Sequence, residues 1–234
     1  CSFNCPLFIE KPVLNSLQNS DQIKKELEIN KTRTYVACNL RFHPAIQFIS
    51  NYLKTSNLKI NEVNIYSGSF LPDWRHGKNF REIYSSNKIL GGGVHLDLIH
   101  EIDYCTWLFG LPERIISVKR AVSTLQIDAF DYANYILQYS KFSATITLNY
   151  YRRDKKRQIE ILTEDTTILI DLEESKITNL VTNEILFYKN FNILETYIDQ
   201  MNYFIENIRS NNQPMNSFSN AVNILKLAIN EEYA

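Results

Sequence analysis

The chain has 234 residues, of which 44% are hydrophobic and 22% are charged, and its formal net charge is −1. This composition is ordinary for a globular protein, and a charge so close to zero gives no reason to expect a nucleic acid or an anionic membrane as a partner. The apolar runs are far shorter than the roughly 20 residues that cross a bilayer, so we expect no membrane association.

The cysteines and the first residues bear on the compartment and on the extent of the chain. The four cysteines are few and irregularly spaced, which favours a reduced, cytoplasmic protein over a disulfide scaffold. Cys1 and Cys5 resemble half of a metal site, but no second pair supports that interpretation. The chain does not begin with Met and starts almost within a predicted strand, so we expect it to be a fragment of a longer polypeptide.

The first part of the chain predicts a strand, a helix and a second strand. Cys5 to Pro12 reads as a short apolar strand that stops at a proline, and residues 16–28 have the spacing of an amphipathic helix. Residues 33–39, with the sequence RTYVACN, predict a second buried strand. A strand, a helix and a strand so close in sequence form a βαβ unit, which is the building block of a parallel sheet.

The residues that follow predict a different architecture. An apolar pattern at Ile46, Ile49 and Leu53 predicts a helix, and alternating apolar residues from Lys59 onward predict a strand. Further strands are predicted at residues 115–122, 132–138, 143–149, 158–162 and 167–172. Short polar turns between them are typical of hairpins, and hence of an antiparallel sheet. Amphipathic helices close the chain at residues 192–209 and 217–232.

Two regions with different folds are therefore expected. Residues 1–43 would be the tail of a parallel α/β domain. Residues 44–234 would form an α+β domain with a large open, mainly antiparallel sheet, against which the terminal helices pack back.

Residues 89–110, ILGGGVHLDLIHEIDYCTWLFG, change rhythm abruptly after three glycines. Glycine tolerates positive φ, so the glycines predict a flexible entry to the helix that the next residues indicate. An apolar stripe of helical period is formed by Leu98, Ile102, Cys105 and Phe109. A continuous helix over this stripe, ending at Gly110, would place Asp97, His100 and Tyr104 together on its opposite side.

The carboxylate and imidazole at the start of this predicted helix suggest a proton-transfer site. A carboxylate beside an imidazole holds its tautomer and raises its pKa, which suits acid–base work near neutral pH. A solvated helix N-terminus, where Asp is favoured by the helix dipole, is the alternative interpretation of Asp97. A metal site made of His95, Asp97 and His100 is disfavoured, because the histidines are five residues apart and no fourth ligand is evident, so we expect no metal.

Three other segments carry side chains of chemical interest. Glu10-Lys11-Pro12 ends a predicted parallel strand, at the edge where open α/β sheets bind ligands, although an ordinary surface lysine has the same sequence. Trp74 and Arg75 lie in a loop and offer a flat aromatic face and a planar fork. Residues 152–157, RRDKKR, resemble a nucleic-acid patch, but their position at a hairpin tip favours a solvated turn.

Four motifs occur along the chain in order: Glu10-Lys11-Pro12, the segment Asn39 to Pro44 (NLRFHP), the Trp74-Arg75 pair, and Gly91-Gly92-Gly93 followed by Asp97, His100 and Asp103. In this order and spacing they resemble the Gfo/Idh/MocA family of NAD(P)-dependent oxidoreductases, which act mostly on sugars, inositols and sugar nucleotides. The resemblance covers essentially the whole chain. It implies NAD or NADP as cofactor and a sugar, sugar nucleotide or related polyol as substrate.

The resemblance also implies roles for individual residues. His100 would be the acid/base that takes the hydroxyl proton as hydride leaves carbon for the nicotinamide, Asp97 would position or polarise that site, and Lys11 would lie at the nicotinamide. The implied lining of the cofactor cleft is Glu10, Lys11, Pro12, Asn39, Trp74 and Arg75. The implied substrate contacts are Arg41, Arg75, His95 and Tyr104.

For the architecture, the resemblance implies that residues 1–43 are the C-terminal part of a dinucleotide-binding Rossmann domain. Residues 44–234 would be the substrate-binding domain, whose open sheet forms the interface of a homo-oligomer. No glycine precedes Gly68, so a GxGxxG pyrophosphate loop cannot lie in those residues. The alternative to an enzyme is therefore a truncated, non-catalytic relative that keeps the sheet as a dimerisation surface and binds no dinucleotide.

Overall fold

The computed structural model describes residues 5–230. Its first sheet has two strands, β1 (Leu7–Glu10) and β2 (Thr34–Ala37), with the helix α1 (Ser20–Ile29) between them. The strands are parallel, with Leu7 opposite Thr34 and Glu10 opposite Ala37. All four residues of β2 are buried, which agrees with its uninterrupted run of small, aromatic and β-branched side chains.

The second sheet has eight strands in the order β10-β9-β8-β7-β3-β6-β5-β4. The strands are β3 (Ile60–Gly68), β4 (Arg114–Arg120), β5 (Tyr132–Gln138), β6 (Ser143–Asn149), β7 (Lys156–Thr163), β8 (Thr167–Asp171), β9 (Lys176–Asn179) and β10 (Glu184–Tyr188). Neighbouring strands are antiparallel except β3 and β6, which run parallel. A parallel pair needs a crossover rather than a hairpin, and residues 69–142 between β3 and β6 provide it.

The remaining helices are α2 (Pro44–Thr55), α3 (Val94–Asp97), α4 (His100–Phe109), α5 (Leu194–Arg209) and α6 (Phe218–Ile229). On one face of the large sheet, alternate residues such as Ile65, Tyr135, Ile146 and Ile159 are at most 2% exposed and belong to the core. On the other face, the alternating side chains remain partly exposed. The helices thus cover one face of the sheet and leave the other open.

The last helix packs back onto the first sheet. Val36 N donates to Asn216 O, and Asn216 Nδ2 returns a hydrogen bond to Val36 O, both at 2.8 Å. Phe218 N donates to Thr34 Oγ1, also at 2.8 Å. Asn216 is fully buried, so its amide is satisfied inside the protein rather than by solvent. These bonds fix β2 against the start of α6.

The predicted fold class is confirmed: a small parallel α/β portion precedes an α+β portion with a large, mainly antiparallel sheet. Several details differ. Helix α1 begins at Ser20 rather than Ser16, and β9 and β10 were not predicted. Both missed strands are short, at four and five residues, and polar residues flank them, so their alternation is weak. Cys1 and the end of the predicted last helix lie outside the described residues.

Candidate active site

The prediction of one continuous helix from residue 94 to residue 109 is wrong. Helix α3 ends at Asp97, Leu98 has φ −99° and ψ 35°, and helix α4 begins at His100. The break places Asp97 at the end of one short helix and His100 at the start of the next. The two residues therefore do not share a helix face as the helical spacing predicted.

The carboxylate of Asp97 is held between two tyrosines. The Tyr84 hydroxyl donates to Oδ1 at 2.9 Å, and the Tyr150 hydroxyl donates to Oδ2 at 2.6 Å. Asp97 is 5% exposed, and hydroxyl donors to both oxygens compensate for the loss of solvent. Burial raises the pKa of Tyr150 well above its ordinary value, and the negative charge of Asp97 raises it further. Both carboxylate oxygens are thus engaged by tyrosines rather than by His100.

Lys11 joins the first sheet to this cluster. Its Nζ donates to the backbone oxygen of Asp97 at 2.6 Å, across 86 positions of sequence. Burial lowers the pKa of Lys11, and the carboxylates of Asp97 and Glu101 oppose this shift. The hydrogen bond fixes the ammonium at the carboxyl end of β1, which is the edge where parallel sheets bind ligands.

The glycine-rich loop presses against the segment that carries Tyr84. A Cβ on Gly92 would lie 2.1 Å from Tyr84 O and 2.7 Å from Ser85 O. Gly91 and Gly93 have φ of 80° and 129°, values that side chains disfavour. Glycine at these positions therefore lets the loop approach the backbone closely and sets Tyr84 against Asp97.

His100 lies partly exposed at the start of α4, with its Nδ1 buried and without a hydrogen-bond partner among residues 5–230. Burial lowers the pKa of this imidazole well below its ordinary value, and the positive charges of Lys11 and Arg157 lower it further. His100 is therefore neutral at pH 7, the form that can accept a proton.

The residue that follows His100 belongs to a buried ion pair. This residue, Glu101, is fully buried, and its Oε1 lies 2.8 Å from Arg157 Nε. The side chain of Arg157 is 18% exposed, so it is not part of the solvated turn that its sequence favoured. Burying a carboxylate alone is costly, so Arg157 stabilises the charge next to His100.

The loop pair Trp74-Arg75 borders the same cluster. Trp74 donates from Nε1 to Ser69 Oγ at 2.9 Å and packs edge-on against Tyr150, with ring centroids 5.3 Å apart. The guanidinium of Arg75 lies 5.4 Å from the centroid of the Tyr84 ring. Each residue of the pair thus contacts one of the tyrosines that hold Asp97.

Two residues for which the resemblance implied ligand contacts form bonds within the protein. Arg41 forms a bidentate, buried ion pair with Asp103, at 2.8 and 2.7 Å, and so ties the segment after β2 to α4. Asn39 donates to Thr196 Oγ1 at 2.8 Å. Both side chains are only 5% exposed, and their polar groups bond within the protein.

His95 and Tyr104, for which the resemblance implied substrate contacts, are both buried. His95 is 7% exposed and packs edge-on against Phe130, and burial lowers its pKa to about 4. Tyr104 is fully buried, and its hydroxyl has no hydrogen-bond partner within the described part of the chain. The break before α4 also means that Asp97, His100 and Tyr104 do not all share the predicted common face, which required an unbroken helix.

The two neighbours of Lys11 differ in their surroundings. Glu10 is exposed at the end of β1. Pro12 is half-buried beside Lys11 and lines a small cavity with it. Within residues 5–230, no group of three or more histidine, cysteine or acidic side chains could hold a metal ion. No helix in that range is long and apolar enough to cross a membrane.

Four residues of the site were missed from the sequence: Tyr84, Glu101, Tyr150 and Arg157. The charge of Glu101, adjacent to His100, was the one local signal. The two tyrosines lie 13 and 53 positions from Asp97, so no spacing rule connects them. Arg157 lies in the basic run of residues 152–157, whose sequence favours a solvated turn, so it was not singled out.

Comparisons with known proteins agree with this architecture. Residues 58–169 match the family model described as the GFO/IDH/MocA C-terminal domain. No curated protein matches the chain in sequence.

Solved structures provide the fold-level comparison. UDP-N-acetylglucosamine 3-dehydrogenase GnnA from Acidithiobacillus ferrooxidans is 17% identical, with a TM-score of 0.75 over 96% of this chain and 68% of that one. The WlbA dehydrogenase from Bordetella pertussis, in complex with NADH and UDP-GlcNAcA, is 16% identical, with a TM-score of 0.75 over 96% and 69%. Levoglucosan dehydrogenase in complex with NADH is 16% identical, with a TM-score of 0.82 over 95% and 69%. At such low sequence identities, the similarity shows a shared fold and no more.

The domain match and the fold lead to one conclusion: residues 58–169 match the C-terminal domain of the Gfo/Idh/MocA family, and the motifs along the rest of the chain resemble that family.

Proposed function

We propose that the protein is an NAD(P)-dependent oxidoreductase that acts on a hydroxyl group of a sugar, a sugar nucleotide or a related polyol. The observation that carries this proposal is the 2.6 Å hydrogen bond from Lys11 Nζ to Asp97 O. It joins the carboxyl end of a parallel strand to the helix break that presents His100. The match of residues 58–169 to the family's C-terminal domain and the NADH complexes of the similar structures support the same activity.

The residues at this point fit the nicotinamide end of a dinucleotide. A nicotinamide cofactor supplies the hydride acceptor or donor when it is bound. Lys11 provides a fixed cationic donor, and Trp74 and Arg75 provide an aromatic face and a planar cation beside it. No GxGxxG motif occurs in the 234 residues, so we assign no residue of this chain to the pyrophosphate.

In this proposal, His100 exchanges the proton of the reacting hydroxyl. Its imidazole is neutral at pH 7, because burial and the charges of Lys11 and Arg157 lower its pKa, and it can therefore accept that proton. Lys11 orients the substrate oxygen and stabilises negative charge on it as the proton leaves. Asp97 acts as the anchor: its carboxylate is fixed by Tyr84 and Tyr150 while its backbone oxygen holds the Lys11 ammonium.

The names of the similar proteins support the substrate class. GnnA is named for UDP-N-acetylglucosamine, WlbA is in complex with UDP-GlcNAcA, and levoglucosan dehydrogenase is named for an anhydrosugar. We also propose a cytoplasmic location, supported by the free thiols of Cys5, Cys38 and Cys105. We also propose that the boundary between the two regions lies at residue 43.

The test is turnover in the wild type and in His100→Ala. The protein is assayed with NAD and NADP and with levoglucosan, UDP-N-acetylglucosamine and its uronate as substrates, by nicotinamide absorbance. Loss of an acid/base group should lower kcat by about 10²- to 10⁴-fold, while the cofactor Kd stays unchanged. His76→Ala, at an exposed histidine, serves as the matched control. Unchanged turnover in His100→Ala would remove His100 from the mechanism.

A further inference from the structure

A cavity of about 370 Å³ is lined by Arg157, the partner of Glu101 in the buried ion pair. Its walls include Leu172 and Phe191, and its charged lining residues are Lys155, Arg157 and Glu173. Glu101 follows His100 in sequence. The ion pair therefore connects Arg157, which lines the cavity, to the residue next to the proposed acid/base.

The guanidinium of Arg157 is only partly used by the protein. Its Nε lies 2.8 Å from Glu101 Oε1 and donates to Ser67 Oγ at 3.3 Å. Its two terminal nitrogens make no hydrogen bond with residues 5–230. Four N–H groups on a rigid planar fork are thus left for another partner, on a side chain that lines the cavity.

His43, Lys155 and Glu173, which also line the cavity, have partners within the protein. His43 Nδ1 accepts from Ala45 N at 3.2 Å, so its Nε2 carries the proton and donates to Leu172 O at 3.1 Å. At the rim, Lys155 pairs with Glu173 at 2.7 Å, and the Lys155 side chain is 63% exposed. Among the charged residues that line the cavity, Arg157 is therefore the one whose terminal N–H groups have no hydrogen-bond partner within residues 5–230.

We propose that this cavity binds an oxyanion group of the substrate, a carboxylate or a phosphate, through the terminal nitrogens of Arg157. Both groups present two oxygens that match the guanidinium fork, and such paired contacts are stronger and more directional than a contact with ammonium. The charge of Glu101 and the hydrogen bond from Nε to Ser67 Oγ hold the guanidinium in place, so little freedom is lost when the oxyanion binds. The inference deepens the proposed function, on which it rests: among sugars, it selects those that carry an acidic group.

The experiment measures binding without cofactor, so that it is independent of turnover. D-glucuronate, D-glucose 6-phosphate and neutral D-glucose are titrated into the wild type and into Arg157→Lys by calorimetry. Lysine keeps a positive charge opposite Glu101 but lacks the planar fork. An acidic sugar should bind to the wild type at least about tenfold more tightly than glucose, and Arg157→Lys should remove most of that difference. Arg153→Lys, at an exposed arginine of the same hairpin, is the control and should bind as the wild type does.

The titrations distinguish a carboxylate site from a phosphate site, and either from a cavity without preference for acidic sugars. Preference for glucuronate identifies a carboxylate, and preference for glucose 6-phosphate identifies a phosphate. Equal binding of all three sugars to the wild type overturns the proposal, as does preference that persists in Arg157→Lys. If Arg157→Lys does not fold, the side-chain Nε–H resonance of Arg157 in the wild type is followed by NMR, and an acidic sugar that leaves it unmoved also overturns the proposal. Oxyanion binding without any turnover would contradict the proposed function and leave this subsite intact.

Discussion

Buried histidines make the stability of this protein sensitive to pH. His43 is 1% exposed and caps α2 through Nδ1, and its pKa falls to about 4 because of burial. His95, in the core beside Phe130, has a pKa of about 4 for the same reason. Each side chain is folded in its neutral form, whereas an exposed imidazole in the unfolded chain takes up a proton near pH 6.5.

We therefore expect the protein to lose stability as the pH falls from 6.5 to 4. In this window the unfolded state binds more protons than the folded state, so the free energy of unfolding decreases with decreasing pH. Each histidine contributes at most about 3 kcal/mol to this loss, and the loss is absent above the unfolded pKa. Urea midpoints across the window measure it. His43→Asn keeps a capping oxygen but does not titrate, so a pH dependence as steep as that of the wild type in this variant would contradict the assignment.

At the scale of single residues, the sequence singled out candidate residues but could not predict their contacts. Lys11, Asp97 and His100 were all singled out, and the structure brings Lys11 to Asp97. The partners of the Asp97 carboxylate could not be predicted, because Tyr84 and Tyr150 reach it only after the large sheet and the loop above it have formed. The pairing of Arg41 with Asp103 was not predicted either, and it follows from burial, since a buried guanidinium needs a carboxylate partner.

At the scale of elements, the glycine loop and the helix break determine the geometry of the site. The loop lies so close to the backbone of Tyr84 that residue 92 has no room for a side chain. The α3–α4 break then directs Asp97 towards Tyr84 and Tyr150 and leaves His100 at a new helix start. Periodicity could not predict the break, because Leu98 and Ile99 are apolar and fit the helical stripe, and both are buried.

Gly92→Ala should disturb the site through this loop. The added methyl would meet backbone oxygens at 2.1 and 2.7 Å, so the segment that carries Tyr84 must move away from Asp97. We expect a loss of about 1–3 kcal/mol in the free energy of unfolding, as in other overpacked sites, and a drop in turnover. Urea unfolding and steady-state assays measure these effects.

Gly77→Asn provides the control for that variant. Gly77 also has a positive φ, of 76°, but nothing lies within 4 Å of the position that a Cβ would occupy there, and asparagine tolerates this backbone region. If Gly92→Ala were as stable and active as Gly77→Asn, the close approach at residue 92 would not control the site.

At the scale of the whole molecule, the uncovered face of the eight-stranded sheet is the main surface without an intramolecular partner among residues 5–230. Its centre carries Asn64, Tyr66, Thr145, Thr147 and Gln158, which are half-buried. Side chains on this face bond to one another across strands: Thr145 Oγ1 donates to Asn64 Oδ1 at 2.5 Å. We propose, as the family resemblance implied, that this face joins two copies of the chain.

Sedimentation of the wild type should therefore show a dimer or a larger assembly. A charge introduced on the open face should dissociate this assembly. Thr147→Lys places an ammonium at the centre of the sheet, where two copies would bring like charges together, and should weaken association by tenfold or more, an order-of-magnitude expectation of about 1.4 kcal/mol. Ser140→Lys, at the exposed turn between β5 and β6, adds the same charge away from this face and should leave the assembly unchanged. A monomeric wild type, or equal assembly of both variants, would contradict the proposed interface.

The most direct test of the central claim, a nicotinamide site at Lys11 and Asp97, is a fluorescence titration with NADH and NADPH. The wild type should bind one of them saturably, and Lys11→Met should bind it at least about tenfold more weakly, since it loses a charged hydrogen-bond donor. Lys25→Met, at an exposed lysine of α1, should bind as the wild type does. Failure of the wild type to bind either dinucleotide, or equal binding by Lys11→Met, would contradict the claim.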